Sequence, residues 1–526
     1  MTGRLIGRTA YSTQAEVQIM GTRTSRRGFL AGTASGAALL GLSDLGALGK
    51  LRPVSAEESQ LDPKVVRLSP EIEPLVRLLE ETPRDHLLEE VGHRVNKGLS
   101  YRDLLAALLL AGVRNVQPRP AVGFKFHAVL VVNSAHLASL NSPPADRWLP
   151  IFWALDEFKS SQARDVEEGD WTMRLVDEAA LPKASQAGKA FAAAMDRWDE
   201  PAADAAVAAL ARSGGAQEVF DVFCRYGARD FRSIGHKAIY VANSWRTLGC
   251  IGWHHNEPVL RSLAYALLMH DGERPDQADL LPDRPWRENQ ERAGKIRGDW
   301  LDGQANPQAT GETLAALRLA DHAAACELVV ELLNRGVAPQ SIWDGLFASA
   351  GELLARRPGI VSLHAVTTTN ALRFAFEQCA VDETRRLMLL QNAAFLTFFR
   401  DRLSGELGDL RLDTLEPLTP SEKSPQAAVA EIFATVNENR QAAAAKALGY
   451  LSAGGDPQAL IDAARVLVFL KGDDSHDYKF SSAVLEDYGQ LAPQVRDRFL
   501  AASLFQLRGS GDRDNPLVGR IRAALG

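Results

Sequence analysis

The chain has 526 residues, of which 46% are hydrophobic and 24% are charged, and its formal net charge is −7. These values are ordinary for a globular protein with a large core, and without a long basic run they exclude the electrostatic pattern of a nucleic-acid-binding protein. None of the four cysteines forms a CxxC pair, which argues against a zinc ribbon and a thioredoxin motif, and four cysteines in so long a chain are too sparse for a disulfide scaffold.

The N-terminal region resembles a twin-arginine (Tat) export signal. The sequence TSRRGFL at Thr24–Leu30 places two arginines before a mildly apolar stretch rich in Gly and Ala. We assign residues 1–56 to a signal region that is removed, with Met20 as a candidate true start. We therefore expect the Tat translocase to carry a periplasmic or otherwise exported protein, with no stable membrane span in its mature form.

Beyond residue 63, hydrophobic residues recur at the helical period almost throughout, and alternating runs are nearly absent. The pattern predicts an all-α fold, a large multi-helical domain of packed helix pairs with little or no β-sheet. We expect a helical domain over residues 57–405, a linker or excursion over 406–425, and C-terminal helices over 426–526 that pack on the same core. The polar, Pro-rich stretch Asp271–Pro307 predicts a surface insertion.

Several common nucleotide-binding and hydrolase motifs are absent. The chain contains no GxGxxG after a strand, no GxxxxGK[ST], no GxSxG and no HExxH. We therefore expect no Rossmann-bound nucleotide, no P-loop site and no α/β-hydrolase triad.

Four segments share one pattern: a histidine is followed by a mostly apolar run that carries a polar residue six or seven positions later. They are Lys125–Leu140, His236–Ser244, His364–Leu372 and His476–Leu485. Burying such polar groups costs free energy unless each finds a partner or a ligand. We hypothesise that His127, His236, His364 and His476 meet in space.

Imidazole nitrogens suit a borderline transition metal, and we expect iron rather than copper or zinc. All four histidines are candidate metal ligands, and His127, His364 and His476 are also candidate catalytic residues. No second histidine follows at the i, i+3 or i, i+4 spacing of a di-iron or zinc-protease helix, so core histidines remain the alternative. A 2-His-1-carboxylate site could be completed by nearby acids, namely Asp156, Glu157, Asp473, Asp474 and Asp477.

Three further polar residues are candidates to bind a cofactor or substrate. Asn133 and Thr368 lie in the first and third histidine segments, and Asn243 shares a helix face with the histidine seven positions before it. Hydrogen bonding of the threonine to its own helix is the alternative. His136 is expected to face the opposite side from His127.

The histidine segments resemble those of the questin oxidase-like family of helical proteins. The resemblance rests on FKFHAVLVVNSAH at Phe124–His136, SLHAVTTTNAL at Ser362–Leu372 and GDDSHDYKFSSAVL at Gly472–Leu485. In the last segment Asp474, His476 and Lys479 match the family's motif. The resemblance implies a helical fold, a histidine cluster and oxygen-insertion chemistry of the Baeyer–Villiger type.

These observations predict an exported oxidoreductase. More specifically, they predict an oxygenase that acts on an aromatic or otherwise apolar small molecule. Its metal or its substrate would lie in a site lined by the histidines. The alternatives are a non-enzymatic helical scaffold and a subunit that works with a redox partner protein.

Overall fold

The computed structural model describes residues 64–118, 126–403 and 407–526. These residues form 22 α-helices and no β-strand, which confirms the all-α prediction. The first eleven helices are α1 (Glu73–Glu81), α2 (Arg84–Asn96), α3 (Tyr101–Asn115), α4 (His127–Leu140), α5 (Leu149–Glu168), α6 (Ala187–Asp196), α7 (Glu200–Ser213), α8 (Ala216–Gly227), α9 (His236–Ile251), α10 (Asn256–Leu267) and α11 (Arg284–Lys295). The other eleven are α12 (Pro307–Leu317), α13 (His322–Asn334), α14 (Pro339–Arg356), α15 (Ile360–Gln378), α16 (Asp382–Arg402), α17 (Pro425–Thr435), α18 (Arg440–Ser452), α19 (Pro457–Lys471), α20 (Ser475–Asp487), α21 (Pro493–Ser503) and α22 (Leu517–Leu525).

Some of the predictions lie outside the described residues. They include the export segment 1–56, the first two residues of the motif at Phe124–His136, and residue 406 of the predicted linker. Among the helices that are described, none combines the length and the apolar character needed to cross a bilayer.

Many helices begin at a side chain that accepts a hydrogen bond from the first turn. Ser100 accepts from the Asp103 N–H before α3, and Asn439 accepts from the Ala442 N–H before α18. Such caps satisfy backbone donors that have no partner inside the helix. The helix starts are therefore encoded locally.

The Pro-rich stretch Asp271–Pro307 is not the surface insertion that its polarity predicts. It contains helix α11, and its Trp300 is only 1% exposed. The Trp300 indole N–H donates to Asp382 Oδ1 at 2.8 Å, which ties the stretch to α16. A few large buried side chains outweigh the polar composition here, because one aromatic ring buries a large apolar area.

Four helices, α4, α9, α15 and α20, pack in a closed cycle at the centre of the described chain: α4 on α9, α9 on α15, α15 on α20, and α20 on α4. Helix α4 is apolar on all sides, which is the pattern of a helix surrounded by other helices. The C-terminal segment supplies α20, and its last helix, α22, packs against α2 near the start of the described residues. The central cycle thus joins segments that are far apart in sequence.

Candidate metal centre

The four predicted histidines come together where the central helices begin. The Nε2 atom of His236 lies 3.0 Å from Nε2 of His127 and 2.9 Å from Nε2 of His364. One ligand atom from each of His127, His364 and His476 lies within 4.8 Å of the other two. Around the cycle 127–236–364–476–127, the ring centroids are 5.1, 4.3, 5.1 and 4.5 Å apart. We call these four residues the histidine cluster.

Backbone carbonyls set the orientation of two of the rings. The Nδ1 atom of His236 lies 2.5 Å from the Ser233 carbonyl oxygen, and that of His364 lies 2.7 Å from the Ile360 carbonyl oxygen. A carbonyl only accepts, so each Nδ1 donates and the Nε2 of the neutral ring carries a lone pair. These two Nε2 atoms face each other at 2.9 Å. Such a contact is repulsive unless a proton or a metal cation lies between the nitrogens.

A carboxylate orients a third ring. His476 Nδ1 lies 2.5 Å from Asp474 Oδ1, while its Nε2 is buried and has no hydrogen-bond partner among the described residues. Burial opposes the charged form of Asp474, but its hydrogen bonds from His476 hold its pKa at about 2. A carboxylate on the outer nitrogen fixes the ring and makes the inner nitrogen a better metal ligand.

Three of the other predicted carboxylates bind arginines instead of the cluster. Asp156 pairs with Arg84 at 2.9 and 2.6 Å, and Asp473 and Asp477 both contact Arg508 at 2.6 Å. These acids therefore stabilise the fold around the site.

Glu157 lies near the cluster without joining it by a hydrogen bond. Its burial, and then the charge of Asp474, raise the pKa of Glu157 to about 7. Of the five predicted carboxylates, only Asp474 bonds to a cluster histidine within the described chain, and it does so at Nδ1. It orients a ligand, so the described residues do not assemble a 2-His-1-carboxylate set.

The surroundings keep the histidines neutral. Burial lowers the pKa of His127, His236 and His364 well below the ordinary value, and the charge of Lys479 lowers each further. The cluster also lies at the positive ends of helix dipoles, which disfavour an imidazolium. Neutral imidazole is the form that binds a metal.

A left-handed turn, Ser233–Gly235, places His236. The φ angles of Ser233, Ile234 and Gly235 are 52°, 45° and 81°. Positive φ is costly for residues other than glycine, most of all for a β-branched one, and such strain concentrates at functional sites. The turn aims the Ser233 carbonyl at His236 Nδ1.

Thr368 packs under this turn. A Cβ atom added to Gly235 would overlap Thr368 Oγ1. The Oγ1 atom is buried and has no hydrogen-bond partner in the described part of the chain. The role of Thr368 in binding a cofactor stays a prediction. In the structure, Thr368 packs against the turn that positions His236.

A buried ion network lies behind the turn. Lys237 Nζ donates to Asp230 Oδ2 at 2.9 Å and to two backbone carbonyls, and burial lowers the Lys237 pKa to about 8. Arg232 donates to both carboxylate oxygens of Asp283, at 2.5 and 2.7 Å. Residues on both sides of the strained turn are thus anchored in the core.

Next to the cluster, a narrow cleft lies between the four central helices. We call it the axial cleft. Its lining residues follow the histidines at offsets of three, six, seven or ten positions, which is one face of each helix. The four helices therefore run in the same direction from the cluster. The lining residues are Asn133, Ser134 and Leu137 on α4; Ile239, Asn243 and Arg246 on α9; Thr367, Asn370 and Ala371 on α15; and Lys479, Ser482, Ala483 and Glu486 on α20.

Two of the predicted ligand-binding residues line this cleft. Asn133 is 2% exposed, and its Oδ1 accepts no hydrogen bond from any described residue. Asn243 donates from Nδ2 to the Leu130 carbonyl at 2.9 Å and so holds α9 against α4. Thr367, rather than its neighbour Thr368, lines the cleft on α15.

Lys479 is a residue of the site that the histidine pattern did not identify. It is 2% exposed, lines the axial cleft, and places Nζ 3.5 Å from His236 Nε2. Burial lowers its pKa to about 7. The sequence feature that could have identified Lys479 is its position three residues after His476, on the same helix face.

His136 faces away from the cluster, as expected. Its Nδ1 lies 3.0 Å from the Tyr101 hydroxyl, and its Nε2 lies 3.2 Å from Cys250 Sγ.

Asp487 lies behind the cleft and is fully buried. Its Oδ1 accepts from Asn370 Nδ2 at 2.7 Å. Burial is the largest influence and raises the pKa of Asp487 well above its ordinary value, and the charge of Glu486 acts in the same direction. The charges of Arg246 and Arg373 oppose this and do not outweigh it.

Replacing Asp487 by asparagine should raise stability at neutral and alkaline pH. The native carboxyl holds a proton that the unfolded chain releases near pH 4, so wild-type stability should fall as pH rises from there through the native pKa. Urea unfolding at a series of pH values measures this, and Asp487→Asn should flatten the fall. The exposed Asp85→Asn is the control, and equal slopes for wild type and Asp487→Asn would contradict the prediction.

Family models, curated proteins and solved structures were compared with the chain, and none of them matches it. The resemblance to questin oxidase-like proteins therefore stays a prediction.

Proposed function

We propose that the chain is an oxidoreductase whose histidine cluster holds one transition-metal ion. The observation that carries the proposal is the 2.9 Å contact between the Nε2 atoms of His236 and His364, whose Nδ1 atoms both face carbonyl oxygens. A shared proton is the competing explanation. Burial opposes it, because the pKa of both imidazoles lies well below the ordinary value. A metal cation satisfies the inward lone pairs without protonating the rings.

The spacing of the nitrogens suits ligands of a single metal ion. Ligands at about 2.1 Å from a metal lie about 3 Å apart at right angles and about 3.4 Å apart in a tetrahedron. The two shortest separations in the cluster are 3.0 and 2.9 Å. They support an octahedral or square arrangement, and iron is the metal we propose.

Iron with open coordination positions supplies oxidation chemistry, and this chain's residues would hold and orient it. Asp474 and the left-handed turn would fix the rings. The resemblance of three histidine segments to the questin oxidase-like family supports an oxygen-inserting reaction. The Tat-like N-terminal region supports export as a folded protein.

Metal analysis tests the proposal. Native protein should carry about one transition-metal ion per chain, and His127→Ala/His364→Ala should lose it because two inward ligands are gone. The matched control is His86→Ala/His93→Ala, which removes two exposed histidines of α2 and should keep the metal. Less than about 0.1 metal per native chain, or full metal content in the cluster variant, would sink the proposal.

Oxygen uptake separates an enzyme from a scaffold that only binds metal. Metal-loaded protein should consume oxygen when an oxidisable substrate is added, and the cluster variant should not. Uptake that is absent across a broad substrate panel in fully loaded protein would favour the scaffold.

A further inference from the structure

Lys479 carries a buried amine that lacks a carboxylate partner among the described residues. Its Nζ contacts His236 Nε2 at 3.5 Å and forms no ion pair with any carboxylate of the described residues. The charges of Asp474 and Glu157 act on it only from a distance. Lys237 is equally buried, yet it has the Asp230 carboxylate at 2.9 Å. A buried ammonium without a counter-ion is costly, so the contrast marks the space beside Lys479 as one that suits an anion.

The rest of the site adds positive charge at the same place. Helix α4 begins at His127, α9 begins at His236, and His476 is the second residue of α20, so three helix dipoles direct their positive ends there. Imidazole ligands bring no negative charge to a metal cation. Among the described residues, Asp474 is the only predicted carboxylate that bonds to the cluster, and it already accepts a hydrogen bond from His476 Nδ1.

We propose that a small anion binds between Lys479 Nζ and the histidine cluster and enters along the axial cleft. The inference rests on the proposed function, because the anion would be an additional ligand of the metal. The anion would lie between the Lys479 ammonium group and the metal cation, whose positive charges otherwise repel each other. Lys479 would donate a charge-assisted hydrogen bond to it.

The dimensions of the cleft limit the size of the ligand. The cleft leaves room for about one water-sized molecule at a time. Because the passage is narrow, it suits a small or linear anion that donates through oxygen or nitrogen, such as hydroxide, hydroperoxide or azide.

The polar wall of the cleft suits a ligand that enters with hydrogen bonds. Asn133, Asn243 and Asn370 line the cleft, and the buried Asn133 Oδ1 lacks a donor among the described residues. Hydrogen-bonding molecules therefore suit this passage better than apolar ones.

Azide is the probe for this site. Metal-loaded wild-type protein should bind azide with a new azide-to-metal charge-transfer absorption band. Lys479→Met keeps the length of the side chain and removes its charge, so azide affinity should fall about ten- to a hundredfold, the loss expected for one charge-assisted hydrogen bond. Lys295→Met makes the same change at a lysine of α11 whose side chain is 52% exposed, and this variant should bind azide as wild type does. Equal azide affinity in fully loaded Lys479→Met would overturn the proposal.

Elemental analysis of each sample separates this inference from the proposed function. Metal-loaded protein that does not bind azide would overturn the anion site and leave the metal centre standing. If the native protein carries no metal, the metal-free protein is titrated with azide by calorimetry. Binding that is lost in Lys479→Met would then support the anion site, and no binding would overturn it.

Thermal unfolding checks the fold of each variant, and Lys479→Gln replaces Lys479→Met if the latter does not fold.

Discussion

Gly235→Ala should lower the free energy of unfolding by about 2–4 kcal/mol and should release His236 from the metal centre. Gly235 has a φ of 81°, a conformation that strains any residue with a Cβ. The added methyl group would also overlap Thr368 on α15, and a buried helix cannot move away freely. Both effects act on the residue immediately before His236. Urea unfolding measures the stability, and elemental analysis measures the metal content.

Gly249→Ala provides the matched control for this prediction. Gly249 lies in α9, the helix that His236 begins, and a Cβ there meets nothing within 4 Å. Alanine should be neutral or stabilising by up to about 1 kcal/mol at such a helical position. If Gly235→Ala proved as harmless as Gly249→Ala, the strained turn would not be what positions His236.

Asp230→Ala should destabilise the protein by about 3–5 kcal/mol, the cost of breaking a buried ion pair by removing one partner. The change leaves Lys237 without its only carboxylate partner among the described residues, and it deprives the buried Arg229 of its nearest negative charge. Since Asp230 and Lys237 flank the left-handed turn, the metal content should fall as well. Thermal or urea unfolding at neutral pH measures the loss.

Two further variants give this prediction its controls. Asp279→Ala removes an acid whose side chain is 65% exposed and which pairs with surface arginines, so it should change the stability little. Asp230→Leu/Lys237→Met removes both charges of the buried pair and should recover much of the stability lost in Asp230→Ala. Losses of equal size in the buried and surface variants would mean that the network is not what anchors the turn.

The fold class and the histidine cluster could be predicted because both are local patterns. Helical periodicity is written into each segment, and residues six or seven positions after a histidine return to its helix face. Asn133, Asn243, Asn370 and Ser482 occupy those positions, and all four line the axial cleft. Four separate segments with this pattern share one environment, and that repetition indicated a common site.

The orientation of the rings could not be predicted. Whether His236 turns Nδ1 towards Ser233 depends on a turn that holds Ile234 at a φ of 45°, which no local preference favours. The buried network around Asp230 and the packing of Thr368 offset that cost. Both are tertiary contacts between residues that are distant in the sequence.

By itself, then, the sequence determined that the chain is all-α and that four histidines share one kind of helical environment, because a period of 3.6 residues is a local property. Only the tertiary structure decided that the central helices run in the same direction. It also decided that three inner nitrogens present lone pairs towards one centre and that Lys479 lies among them without a carboxylate partner in the described chain. The reason is physical: these features depend on long-range packing, which joins α4, α9, α15 and α20 across hundreds of residues.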